Sequence, residues 1–294
     1  MLSILIPTYN YDITRLLTDL HRQASEQHID FEIIVMEDGS EQCVGQNKTV
    51  EELSNCRHII LKENIGRSSI RNKLADEAKF EQLLFMDCDA ELCSADYLAK
   101  YLQFNAENSI IIGGTAYKLE DKNPAYSLRL KYGREREART AAERGKNNFA
   151  TFNFLISKSI FNKVRFDETI RGYGHEDMLF GHQLHQLGYD FIQIDNPLIH
   201  KGLDDNRVFI HKTEEATRNL FLLYLTGNYP FLANESRLLK SFIQLKSIGI
   251  VRLLAFKYSI SKGLLQWLLC RKQPSLLLYD YYKLLFLCKT SVTK

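Results

Sequence analysis

Short, largely apolar runs recur along the first 112 residues: Leu2–Pro7, Phe31–Val35, His58–Leu61, Leu83–Met86 and Ile110–Ile112. Between most of them lie stripes at helical spacing. Ile13, Leu16, Leu17 and Leu20 follow Asp12, a candidate cap; Ile70, Leu74 and Ala78 follow the turn NIGR; Tyr97, Leu98, Tyr101 and Leu102 follow Ser94, which reads as the next cap. A strand that is apolar on both faces needs cover on both, and amphipathic helices alternating with strands supply it. The chain is therefore constrained to an α/β fold, a Rossmann-like and mostly parallel sheet flanked by helices. FNFLIS (152–157), YDFIQI and PLIH, ending at His200, read as further strands, and helices are expected after GYGHED and over His211–Tyr224.

In sheets of this kind ligands collect beyond the carboxyl ends of the strands. Asp38, Asn64 and Asp87 all fall at such ends, as do Tyr9 and Asn10 after Pro7, placed to border a base or sugar. Asp87 and Asp89 bracket Cys88 in LLFMDCDAEL. Two carboxylates where a strand turns can approach one cation from one side. Hard oxygen ligands suit Mg2+ or Mn2+, above all where phosphate oxygens complete the shell. A lone DxD reads equally as a solvated strand end; the shared rim is what favours a metal. Asn64 and Gly66 precede Arg67 and Arg71. A glycine turn at a helix start aims backbone N–H groups at an anion, and Arg71 adds a fixed fork for a diphosphate. The alternative is a surface helix whose arginines meet solvent or Glu63.

GYGHED (residues 172–177) sets Glu176 and Asp177 at a helix start, where the dipole favours an ionised carboxylate. Beside a metal–diphosphate site one of them is a candidate general base for a hydroxyl, and the pattern does not separate the two. His182 and His185 share a helix face, but no third ligand has zinc spacing. His200 differs, because it ends an extended run beside Lys201 and Gly202.

Charge divides the chain. Residues 1–234 carry 27 Lys and Arg against 34 Asp and Glu, whereas residues 235–294 carry 11 against 2. The tail repeats leucines and aromatics with a basic residue every few positions. That pattern suits helices lying on an anionic membrane surface, and also a helical hairpin packed on the domain. Basic residues interleaved with leucine do not suit nucleic acid. No window reaches the length of a transmembrane span, and MLSILIPTYN reads as a first strand rather than a leader. Six cysteines without a CxxC pair read as free thiols of a reducing compartment. The charge-dense segment 118–148 suits an exposed helix, a flap or a solvated connector.

Taken in order, SILIPTYN, the acid of VMEDGS, NIGRSSIRN, the DxD of MDCDAE and GYGHED resemble family 2 glycosyltransferases of the GT-A fold, of the inverting bacterial type, over about residues 1–205. The charge and leucine pattern makes 206–294 a helical, membrane-associating region, whereas the resemblance implies a donor half over about 1–115 and an acceptor half over about 116–205. It implies transfer of a sugar from a nucleotide-sugar, typically UDP-linked, to a glycan or lipid-linked hydroxyl. The setting would be polysaccharide biosynthesis at the cytoplasmic face of a membrane. By the same match, Asp38 contacts the base with Tyr9 near it, and Arg71 lies near the diphosphate. Asp87 lies toward the ribose and metal-bound water, Asp89 ligates Mn2+ or Mg2+, and His200 completes the shell. Asp177 matches the base, with Glu176 binding the acceptor; one base and no protein nucleophile imply inversion. No QxxRW-like segment is present, and Trp267, the sole tryptophan, lies far beyond its place. That argues against a membrane-embedded processive synthase. Two rival readings are a nucleotidyltransferase acting on sugar phosphates, whose glycine- and lysine-rich opening loop is missing after the first strand, and a non-catalytic scaffold. Asp89, Asp177 and His200, all in place, weigh against the scaffold.

Overall fold

The computed structural model describes every residue except 119–122, 146, 147, 171 and 294. The chain forms two compact units: Met1–Lys118 with Arg134–Arg171 and Glu176–Gly202, and Leu119–Gly133 with Gly172–His175 and Leu203–Lys294.

The first unit opens with β1 (Leu2–Thr8), α1 (Thr14–Glu26), β2 (Phe31–Glu37), α2 (Val44–Asn47), β3 (Cys56–Ile60) and α3 (Arg67–Glu77). It continues through β4 (Gln82–Met86), β5 (Ala90–Leu92), α4 (Tyr97–Leu102), β6 (Ser109–Ile112) and β7 (Thr115–Ala116). After α5 (Ser127–Tyr132), which belongs to the second unit, it resumes with β8 (Asn153–Ser157), α6 (Lys158–Lys163), α7 (Glu176–Gln186), β9 (Asp190–Gln193) and β10 (Leu198–His200). Seven strands form one sheet in the order β3-β2-β1-β4-β8-β6-β9, and β5-β10-β7 form a second, small one. The first four strands of the main sheet are parallel, and β8 runs antiparallel to both β4 and β6.

Successive strand residues point to opposite faces. Ile4, Ile6, Ile33, Val35, Leu84 and Met86 pack with Leu16, Leu17 and Leu20 of α1 and with Tyr97 and Leu98 of α4. Leu5, Ile34, Met36, Leu83 and Phe85 pack with Ile70 and Leu74 of α3, Phe161 of α6 and Phe180 of α7. The mostly parallel, doubly covered sheet expected from the apolar runs is therefore what the chain forms.

Two local expectations differ. Asp12 accepts from the Thr14 N–H at 2.9 Å, as a cap should, but Ser94 does not cap α4. That helix starts two residues late, and its Leu98 N–H is taken by Oε1 of buried Gln23 from α1 (3.1 Å), whose Nε2 donates to the Ser94 carbonyl (2.9 Å). A side chain from another helix has displaced the local cap. The segment 118–148 is not one solvated connector either: α5 buries Leu128, Arg129 and Leu130, and only residues 119–122, 146 and 147 of it lie outside the described residues.

Where β8 meets β4, Asn153 stands opposite Met86 and anchors a buried polar knot. Tyr97 and Tyr101 each donate to Asn153 Oδ1 at 2.5 Å. Asn153 Nδ2 donates to the carbonyls of Asn196 (2.9 Å) and Gly114 (3.3 Å), and Asn196 Nδ2 donates to the Tyr97 carbonyl (2.9 Å).

The second unit is helical: α5, then α8 (Asn206–Thr226), α9 (Leu232–Glu235), α10 (Arg237–Ser247), α11 (Val251–Leu269) and α12 (Leu276–Thr293). α8 begins earlier than its apolar stripe suggests because Asp205 accepts from the N–H groups of Arg207 and Val208. Leu128, Phe209, Ile210, Tyr258, Leu265, Leu269, Tyr279 and Tyr282 make its core. Glu214 of α8 is buried there and accepts from the hydroxyls of Tyr258 and Tyr282, with Lys262 Nζ at 3.3 Å. Among the described residues no helix is long and apolar enough to cross a membrane, and all six cysteines are free.

Candidate active site

The candidate side chains of the first unit leave strand ends or the first turns of the helices that follow. Asp38 follows β2, and its two oxygens accept the N–H groups of Ile65 (2.7 Å) and Gly66 (3.1 Å). Asn64 Nδ2 donates back to the Asp38 carbonyl at 3.1 Å. The two rim residues thus hold each other and shape the turn that starts α3. Burial pushes the Asp38 pKa up, with the two N–H donors pulling against it.

Beneath this turn lies an acid that motif reading passes over. Glu37 is fully buried, accepts from Asn47 Nδ2 (2.7 Å) and Ser40 Oγ, and sits 3.2 Å from His58 Nε2. Asn47 Oδ1 in turn accepts from the Ile13 N–H (3.1 Å), and Ser40 Oγ accepts from the Asn10 N–H (3.0 Å). Burial raises the Glu37 pKa, but hydrogen bonds from His58, Ser40 and Asn47 outweigh it and hold the carboxyl below its ordinary value. Through these bonds the loop after β1, where Tyr9 is 53% exposed beyond partly buried Pro7, is fastened to the loop after β2. The signal in the sequence was an acid directly after the apolar stretch Ile33–Met36.

The arginines of α3 are paired with the expected acids. Arg71 is almost wholly buried and donates from Nη2 to Asp87 Oδ1 at 2.7 Å, with its guanidinium 5.7 Å from the Phe166 ring centroid. Arg67 Nη1 lies 3.7 Å from Glu176 Oε1. One buried and one half-exposed cation therefore join the end of β4 to the start of α7.

Asp89 and His200 meet through strand pairing. β5 begins directly after Asp89, β10 ends at His200, and the two strands run antiparallel with Ala90 opposite His200. The Lys201 N–H donates to the Asp89 carbonyl at 2.7 Å, and His200 Nε2 lies 3.6 Å from Asp89 Oδ2. The imidazole is sandwiched between two aromatic rings, Tyr117 at 5.6 Å and 15° and Phe152 at 5.1 Å and 14°. Phe152 is itself tied to the acid pair, since its carbonyl accepts the Asp87 N–H (3.2 Å). Both aromatic residues lie in segments that read as shaping a donor pocket, GGTAY (113–117) and ATFN (150–153), but only the fold brings them to His200. Glu91 lies between Lys118 Nζ (2.7 Å) and Lys201 Nζ (3.2 Å), which lower its pKa, Lys118 foremost by its hydrogen bond.

The donor set of Asp89 and His200 fits a divalent cation. A carboxylate oxygen and an imidazole nitrogen converge there, Asp89 Oδ2 and His200 Nε2. Two protein donors leave most of an octahedral shell to phosphate oxygens and water. Among the described residues no group of three His, Cys, Asp or Glu side chains converges as a metal site.

Gly202 is part of this geometry. A Cβ there would lie 2.7 Å from Asp89 Cβ and 2.9 Å from Asp89 Cγ, closer than side chains tolerate. Gly202→Ala is expected to push Asp89 off His200, weaken divalent-metal affinity about tenfold and lower thermal stability, because Asp89 Cβ cannot rotate away from the new methyl. Mn2+ titration followed by electron paramagnetic resonance measures it, and unchanged affinity refutes the placement.

At the first turn of α7, Asp177 Oδ1 accepts the Met178 N–H at 2.7 Å, and Glu176 Oε2 is buried without a hydrogen bond among the described residues. Burial, then the neighbouring Glu176 charge, push the Asp177 pKa up to about 6, while Arg71 and Arg67 pull it down. A carboxyl tuned to that range is suited to accept a proton near neutrality. The glycines just before it, in the second unit, make room for a helix rather than a ligand. Gly172 and Gly174 have φ of +89° and +93°, and a Cβ on them would meet Glu215 and Ala216 of α8.

A doubly wound sheet with paired acids at the end of β4, and acids opening a later helix, is the arrangement that the resemblance to GT-A transferases implies. The sequence profile of Glycosyl transferase family 2 matches residues 3–165. The chain belongs to that family and is a glycosyltransferase. It is 25% identical over 278 residues to EpsH of Bacillus subtilis (strain 168), named as a glycosyltransferase, covering 90% of this chain and 80% of that one. It is 23% identical to the chondroitin synthase of Escherichia coli over 89% of this chain, but spans only 43% of that protein. Among solved structures it resembles the mannosyltransferase PcManGT from Pyrobaculum calidifontis in complex with GDP-Man and Mn2+, with a TM-score of 0.57 at 14% identity over 99% of this chain and 86% of the other. TarS residues 1–349 from S. aureus in complex with UDP-GlcNAc gives 0.51 at 17% identity, over 99% and 90%. These two likenesses establish the fold.

Proposed function

We propose that the chain transfers a sugar, with inversion, from a UDP-linked donor to a hydroxyl of a glycan or lipid-linked acceptor, using Mn2+ or Mg2+. The observation that carries this reading is the convergence of Asp89 and His200, held by the β5–β10 register and the Tyr117–Phe152 sandwich. Asp89 and His200 would hold the cation, which supplies charge neutralisation to the departing diphosphate. Arg71 orients Asp87 toward the ribose and, with Arg67, presents positive charge to the diphosphate. Asp38, Asn64, Pro7 and Tyr9 border the base; each Asp38 oxygen keeps a second lone pair beyond its backbone bond. Asp177 takes the proton from the acceptor hydroxyl, and Glu176 holds that acceptor. A single base opposite the leaving group, without a protein nucleophile, gives inversion.

Residues 1–205 would then house a donor half to about residue 115 and an acceptor half beyond it, with 206–294 directing the enzyme to the cytoplasmic face of a membrane. A uridine donor is favoured over guanosine by the match of Asp38 and Tyr9 to the family pattern. The relatives named above hold GDP-Man in one case and UDP-GlcNAc in the other, so base choice is the first thing to test.

Calorimetric titration of UDP, GDP and CDP, with Mn2+ and again with EDTA, tests the reading. UDP is expected to bind best and to need metal. Asp89→Ala should weaken that binding about a hundredfold, about 2.7 kcal/mol. Preference for GDP overturns the donor assignment, and binding that ignores both EDTA and Asp89→Ala overturns the metal site.

A further inference from the structure

Among the described residues nothing covers one face of α11. Leu253, Phe256, Ile260, Leu264 and Trp267 are all more than half exposed, from 56% at Trp267 to 71% at Ile260. Their spacing keeps them in a single stripe about 21 Å long, while Ala255, Tyr258, Leu265 and Leu269 of the same helix face the core. Exposed apolar side chains scattered singly are ordinary; a continuous stripe of five is a binding surface. Exposed Arg252 and Lys257 flank it on the helical wheel, one on each side. At its far end the Arg271 guanidinium lies 4.3 Å from the centroid of the Trp267 ring, and exposed Lys272 follows.

We propose that this stripe is the part of the protein that seats on an anionic lipid surface. α11 lies in the plane of the interface, the five apolar side chains enter the headgroup–acyl boundary, and Arg252, Lys257 and Arg271 meet lipid phosphates. Charge selects this occupant. Residues 235–294 carry 11 basic residues and only Glu235 and Asp280 as acids, and Asp280 is already 3.0 Å from Lys283 Nζ. A second copy of the chain would bring the same cationic flanks to the same seam with no acids to answer them. Long basic side chains beside apolar ones can lay their stems on the boundary and reach out to phosphate. The inference goes beyond the donor-site reading and does not depend on it.

The full chain carries its own probe, since Trp267 is its only tryptophan. It is expected to float with vesicles of phosphatidylglycerol and phosphatidylcholine in equal parts and not with phosphatidylcholine alone, while Trp267 emission shifts to the blue. Phe256→Ser with Ile260→Ser should abolish both signals with an unchanged melting curve, because both positions are exposed. Arg252→Glu with Lys257→Glu should lower partitioning at least about tenfold, as should high salt. Absence of flotation at low salt overturns the proposal. So does flotation that survives Phe256→Ser with Ile260→Ser. A concentration-dependent dimer without vesicle binding, lost in Ile260→Ser on sedimentation, would overturn it in favour of a second copy. Salt-sensitive binding to polyglutamate without vesicle binding would overturn it in favour of an acidic protein.

Discussion

Asp177→Asn is expected to lower turnover about a thousandfold and, at pH 8, to make the protein more stable. The two effects share one cause. Burial and the adjacent Glu176 raise the Asp177 pKa from an ordinary 3.8 to about 6. Below about pH 4 the carboxyl is protonated in both folded and unfolded chains, and it costs nothing. Between about pH 4 and 6 the unfolded chain ionises first, so stability falls as pH rises. Above about pH 6 the folded chain holds an unfavourable carboxylate, at a cost of about 2 kcal/mol once coupling to Glu176 and partial solvent access are allowed for. Asparagine cannot ionise, yet its oxygen can still accept the Met178 N–H. Denaturation curves of wild type and variant should therefore coincide near pH 4 and separate at pH 8. The wild-type kcat/KM should rise through about pH 6, as expected of a base that must first lose its proton. If Glu176→Gln removes activity and Asp177→Asn spares it, the roles of the two acids are reversed.

Asn153→Leu is expected to cost about 3 kcal/mol, although it removes no charge and keeps the branched outline of the side chain. The Tyr97 hydroxyl loses its acceptor and the Asn196 carbonyl its side-chain donor in a buried site, while Tyr101 falls back on the Asn153 carbonyl at 3.4 Å and the Gly114 carbonyl keeps the Leu198 N–H at 3.2 Å. Each orphaned buried group costs about 1–3 kcal/mol, partly offset by the gain in apolar burial. Chemical denaturation measures the loss. Adding Tyr97→Phe and Tyr101→Phe to Asn153→Leu should recover part of it, because groups that need no partner replace two that do. A triple variant no more stable than the single one would show that the knot contributes little. The effect should reach the site as well, since Asn153 stands opposite Met86 and the neighbouring Phe152 carbonyl holds the Asp87 N–H.

Much of this molecule can be read from local pattern. Runs such as Leu2–Pro7 and Phe31–Val35 are apolar on both faces, which only a doubly covered sheet accommodates, and the sheet forms on those residues. Asp38, Asn64 and Asp87 stand beyond strand ends because a strand that stops at a polar residue stops at the rim. Glu176 and Asp177 open a helix because acids favour a helix start. Such features depend on spacing within one turn or one strand, and a sequence displays spacing directly.

What the tertiary structure alone decided is how distant segments meet. Gln23 replaces Ser94 at the start of α4, Glu37 fastens two loops through Asn47 and Ser40, and Tyr117 and Phe152 enclose His200. Above all, Asp89 and His200 converge because Ala90 pairs with His200 and not with a neighbour. A one-residue slip of that register would turn His200 to the other face. Alternation along a strand says which face a side chain takes; it does not say which residue of another strand will lie opposite. That choice is made by the packing of the whole unit, and here it brings the second candidate metal ligand to the first.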